Sequence, residues 1–199
     1  MDHPPVTCGL TCGPNRGPSY EPLRRLFAAH GLPGLGPQRR ASALAVGLVA
    51  QVVDEALHGS FGLPGTTELS GSTKLRHARL LALTLCWHDH WDEAHAVCQA
   101  HEGDQDIDLV HMVLHRREPD AANCRYWIVQ AGWHPVYNDL PAAATALGLA
   151  ALASDGRWSP KLFLERCLAA SAADEQILIA VQAAELLALR DRLLVGQHG

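Results

Sequence analysis

The chain has 199 residues, enough for one domain with a sizeable core, and at 48% hydrophobic and 19% charged it has an ordinary globular composition. A formal net charge of -5 and a pI near 6.1 argue against nucleic acid as a main partner, because phosphate binding needs a cationic face. No run is apolar enough to span a bilayer: the longest, residues 41–53, holds Ser42, Gly47 and Gln51 and reads as a core helix, so no membrane contact is expected.

In chain order, residues 1–18 read as an irregular segment and residues 19–199 as a single all-helical domain, with 72–134 as its hairpin core. The first stretch has neither a cationic start nor an apolar h-region, so no secretory signal is read and a cytoplasmic setting with reduced cysteines is expected. Cys8 and Cys12 lie there at a CxxxC spacing that misses the usual zinc and redox spacings. Cys86, Cys98, Cys124 and Cys167 fall in apolar helical patterns, where a thiol packs as a small hydrophobe.

A short helix is predicted over 20–30 and a second over 39–58, ending at Gly59. The stretch 60–71 carries three glycines and one proline and reads as a long loop, a candidate lid. Regular helices follow. One covers 73–87; the next sets Trp91, Ala94 and Cys98 on one face, with Asp89 as its expected cap and Asp92 in its first turn. A third shows Ile107, Val110 and Leu114 on one face, with Asp106 as its expected cap. A fourth shows Cys124, Trp127, Ile128 and Ala131, with Asp120 at its start and Gly132 at its end. Further helices are read over 139–154, from Ser159-Pro160 to about 170, and from Ser171 with Asp174 to about 194. Val and Ile are few and alternation is absent, so the fold class is all-α.

Residues 87–134 hold four of the five tryptophans and seven of the twelve histidines. A plain helical core needs none of that imidazole. His95 flanks the apolar face that starts at Trp91, and His111 borders the stripe of Ile107 and Val110. His115 follows His111 at i+4, which puts both rings on one side of a helix. The turn between the two helices is short, so they should pack antiparallel with His95 and His111 at similar heights. HMVLH has the i, i+4 imidazole spacing of zinc-binding helices, without the glutamate that makes HExxH a protease motif.

His95, His111 and His115 are therefore candidate ligands for a divalent metal, Zn or Fe, with Asp89, Asp92, Glu93 and Glu118 as available carboxylates. A metal-free acid/base pair is the alternative chemistry. The plainer reading is that inward-edge histidines hydrogen-bond a carboxylate or a backbone carbonyl. Arg116 and Arg117 offer guanidinium forks for a small anionic ligand, or they pair with Glu118 or Asp120 to fix the turn before the next helix. His88, Asn123, Tyr126 and His134 complete the candidate ligand-binding set, with Trp133-His134-Pro135 placed to cover the same pocket.

The segment ending LCWHDHWDEAHAVCQAH matches the one ending VLHRREPDAANCRYWIVQA at an offset of 30, pairing Asp92 with Ala122, Ala94 with Cys124 and Cys98 with Ile128. The unit resembles the helix-turn-helix of tetratricopeptide and Sel1-like repeats over about 60 residues, with a period shorter than the usual ~34. That likeness implies stacked helical hairpins and a binding module for a protein or peptide partner. The motifs WHD-x-x-DEAH, LHRRE-x-D-x-x-N-x-x-YW and W-S-P-x-x-F, starting at Trp87, Leu114 and Trp158, also resemble an uncharacterised family of helical bacterial proteins. That resemblance carries no assigned activity, cofactor or catalytic residue. Three expectations stand: a helical binding module, an enzyme or ligand pocket built on the histidines, and a structural homodimer formed through the apolar C-terminal helix.

Overall fold

The computed structural model describes residues 20–61, 70–118 and 120–195. They form an all-α protein: α1 (Glu21–Ala28), α2 (Val46–Phe61), α3 (Gly71–Trp87), α4 (Trp91–Gln99), α5 (Gln105–Arg117), α6 (Ala121–Ala131), α7 (Leu140–Ala146), α8 (Pro160–Leu168) and α9 (Glu175–Val195). Cys8, Cys12 and most of the proposed 60–71 loop lie outside the described residues.

Local chemistry sets most of the helix starts. The side chains of Ser70, Asp104, Asp120 and Ser159 each accept a hydrogen bond from the backbone N–H three residues on, filling one of the orphan donors of the first turn. Pro160 opens α8, where its missing N–H costs nothing. Gly132, at φ 60°, ends α6 in a conformation that a side chain would strain.

Helix α5 is the central element, with every residue from Asp106 to Arg117 buried. Hydrogen bonds fix its neighbours. Trp91 Nε1 donates to the Leu114 carbonyl (3.1 Å), so α4 runs antiparallel to α5 from a short turn. On the other side, Gln105 reaches the Ala131 and Trp133 carbonyls, while Cys124 Sγ donates to the Met112 carbonyl, so α6 also runs antiparallel. Helix α9 crosses the back of α5, joined by Arg192–Asp106 at one end and Arg116–Glu185 at the other. The core between them includes Leu80, Leu83 and Trp87 of α3, Ala94 and Cys98 of α4, Cys124 and Trp127 of α6, and Leu186 and Leu189 of α9. Leu178, Val181, Leu186, Leu189 and Leu194 of α9 are buried within the chain.

Four local expectations are corrected. The stretch 39–45 is not helical: the Arg40 N–H and guanidinium bind Asp89, and the Leu44 N–H and carbonyl bind His88 and His90. Asp89 does not cap α4. It takes φ 60° and turns its carboxylate toward Arg40 and Arg117, and His90 occupies the cap position. Asp104, not Asp106, caps α5. The helix read over 139–154 stops at Ala146, and Ala153–Ser154 pairs with Arg157–Trp158 in a two-residue hairpin. Asp155 and Gly156 form its turn, both at positive φ, as a type I′ turn demands.

Candidate metal centre

The i, i+4 spacing of His111 and His115 places both rings on the side of α5 that faces α4, where His95 meets them. Ring centroids are 4.7 Å apart for His95–His111, 5.2 Å for His95–His115 and 5.0 Å for His111–His115. One ring nitrogen from each of the three lies within 4.8 Å of the others. Among the described residues, this is the group of His, Cys, Asp and Glu side chains close enough to share a metal ion.

Two tryptophans back the cluster. Trp127 stacks on His111 at 3.7 Å and Trp91 on His95 at 4.6 Å. These contacts, with Trp91 anchored through its indole N–H, hold the rings in place at the helix interface. His115 is oriented from the start of the next turn. Its Nδ1 lies 2.9 Å from Glu118 Oε2 and donates to that carboxylate oxygen. That carboxylate–imidazole pairing is the usual support behind a metal-bound histidine. The Asn123 amide, carried on the first turn of α6, lies 3.2 Å from Nε2.

His111 is the anomaly. It is 1% exposed, and neither of its ring nitrogens has a hydrogen-bond partner among the described residues. Burial, with His115 and His95 beside it, pulls its pKa down to about 3, so the ring is neutral and its lone pair free. Burial and His115 also hold His95 below the ordinary imidazole value, with Glu118, Asp92 and Glu102 pulling the other way. The rings open into a pocket of about 360 Å³, bordered also by Gln99, Glu102, Asp120 and Tyr126. Its size suits a small ligand.

The remaining sequence candidates divide. Asn123 and Tyr126 line this pocket. His88 does not: it lies at the end of α3, where Nδ1 accepts the Leu44 N–H and burial lowers its pKa to about 4. His134 sits at the opposite end of α5, with Nε2 on Asp106 and Nδ1 accepting the Val136 N–H, while Trp133 packs beside Tyr137 and Arg157. Neither covers the pocket.

Arg116 and Arg117 face away from it and pair with neither Glu118 nor Asp120. Arg116 binds Glu185 and Gln182 over the Phe163 ring. Arg117 binds Asp89 and the Cys86 and Gly36 carbonyls. Both guanidinium groups are buried, so the fork geometry is used inside the fold and not to clamp an anion. The sequence reading missed the stacking roles of Trp91 and Trp127 and the placement of Glu102 and Gln99. A signal existed for one of them: Trp91 precedes His95 by one helical turn. Comparison with protein families, with curated proteins and with solved structures gives no match.

Proposed function

We propose that this protein binds a divalent transition metal, zinc by its donor set, through His95, His111 and His115, and presents it to a small ligand in the adjoining pocket. One observation carries the reading: a fully buried, neutral His111 with both nitrogens unpaired, facing two more imidazoles. Leaving such a group unsatisfied costs about 1–3 kcal/mol, a cost that a bound cation reverses. Zinc bonds of about 2.0–2.1 Å set tetrahedral ligand nitrogens about 3.3 Å apart, so the three nitrogens, now within 4.8 Å of one another, draw together by up to about 1.5 Å on binding. Three imidazoles and no thiolate suit Zn over Fe–S or copper(I) chemistry, and three protein ligands leave a fourth position open, the pattern of catalytic and not structural zinc. Glu118 supports the site from behind His115.

A second reading, a helical binding module for a protein or peptide, draws on a different observation. Tyr126, Val129 and Trp133 are 54%, 73% and 44% exposed and follow one another at helical spacing along and just beyond α6. An apolar edge of that kind suits a partner helix.

The metal reading is tested on protein purified without a polyhistidine tag. Zinc is titrated in competition with a chromophoric chelator, in the wild type and in His111→Ala and His115→Ala. One equivalent in the wild type and none at comparable affinity in either variant is the expected result. Binding that stays sub-stoichiometric, or that survives both substitutions, overturns it.

A further inference from the structure

Three carboxylates, Glu102, Glu118 and Asp120, border the histidine pocket, and no lysine or arginine does among the described residues. The arginines nearest in sequence are engaged elsewhere: Arg116 and Arg117 are turned inward against Glu185 and Asp89, and Arg125, beside Tyr126, pairs with Glu165. Glu118 and Glu102, together with Asp92, are close enough to act electrostatically on His95. Acidic side chains around a surface hollow do not by themselves make a site. Here they surround a buried imidazole with no partner for either nitrogen, so the hollow and the unsatisfied group point to one another.

We infer that the ligand taken at this site is a small organic cation: a molecule with one neutral nitrogen or oxygen donor for the open metal position and an ammonium-type group held at the acidic border of the pocket. The inference rests on the metal reading above. The charge count favours it, since a divalent ion is more than balanced by three carboxylates and the mouth of the pocket remains negative. Phosphates and carboxylates, which zinc sites commonly recruit with the help of arginine or lysine, meet no such help here. Tyr126, half out of the surface beside the rim, adds an aromatic face of the kind that attracts ammonium groups.

A matched set of para-substituted pyridines tests this. Each has the same donor nitrogen, and the substituent opposite it carries charge +1, 0 or −1: 4-(aminomethyl)pyridine, 4-methylpyridine and pyridine-4-carboxylate. None can chelate one ion through both groups. Affinities are read from the visible absorption of protein loaded with cobalt(II) in place of zinc. The expected order is cation, neutral, anion, with about a tenfold gap between the ends that shrinks as salt is added. The double variant Glu102→Gln/Asp120→Asn is expected to bind cobalt as before, since asparagine also caps a helix, and to flatten the series. Cobalt binding with a flat or reversed order in the wild type overturns the inference and leaves the metal reading standing. No cobalt binding overturns both.

Discussion

The two long faces of α5 hold buried polar groups of opposite kinds. Toward α9 and α3, Arg116 and Arg117 are as buried as any leucine, yet each finds a carboxylate and further acceptors: Glu185 and Gln182 for one, Asp89 and two backbone carbonyls for the other. Toward α4 and α6, His111 is just as buried and finds no partner for either nitrogen among the described residues. Burial of polarity is therefore no mark of a functional site in this fold. Charge pairing is what separates the faces: each buried guanidinium meets a carboxylate that ties helices together, even though Arg116 Nη1 and Glu185 Oε1 keep no partner among the described residues, whereas His111 meets no polar group at either nitrogen there.

The comparison breaks if the arginine face proves dispensable. Arg117→Met takes from buried Asp89 one of its two guanidinium partners, Arg40 remaining, and takes from the Cys86 and Gly36 carbonyls their donor, and a loss of about 3–5 kcal/mol in urea unfolding is expected. Acid offers the next largest effect. His88 is buried neutral, facing Arg40, His30 and His90, which oppose its protonation, and Asp89, which favours it. Its folded pKa of about 4 lies below the unfolded value, so the unfolded chain takes the proton first. Stability from this residue is intact above pH ~6.5 and is lost as pH falls toward 4, by about 3 kcal/mol in all. Unfolding midpoints at pH 7.5 and 5 measure it, and His88→Gln, which keeps an acceptor for the Leu44 N–H, is expected to reduce the slope.

Smaller effects sharpen the histidine face. Zinc at a hundred times its Kd should stabilise the wild type by about 2.7 kcal/mol and leave His111→Ala unmoved in thermal melts. Without metal, His111→Leu should stabilise the protein by about 1 kcal/mol, because it removes an unpaired polar group while filling its space. A loss there places His111 in the satisfied class and closes the gap between the faces. Asp120→Ala, which removes only a helix cap, should cost about 1 kcal/mol by the same denaturant measurement.

Much of this was legible in the sequence where the determining contacts are local. Asp120 and Gly132 bound α6 as read, Ser159-Pro160 opens α8, and the short turn after α4 brings His95 level with His111. The misreadings share a cause. Residues 39–45 favour a helix by propensity but give their polar groups to Asp89, His88 and His90, more than forty residues on. Arg116 reaches Glu185 across 69 positions, and no nearby acidic residue announces it. Asp104 and Asp106 stand two apart in one turn, and Arg79, which binds both, does not reveal which is the cap. The Asp155-Gly156 turn carried a usable signal that the missing strand alternation hid.

That contrast in reach has a kinetic consequence. Trp91 meets Leu114 across 23 positions and Cys124 meets Met112 across 12, whereas Arg116 waits for Glu185. Closing short loops costs less entropy and comes sooner, so α4, α5 and α6 form a natural nucleus and α9 docks on it afterwards. The three histidines all belong to that early unit. A metal added during refolding should therefore accelerate it and not merely slow unfolding, with the ion captured before the chain has finished closing over the other side of α5.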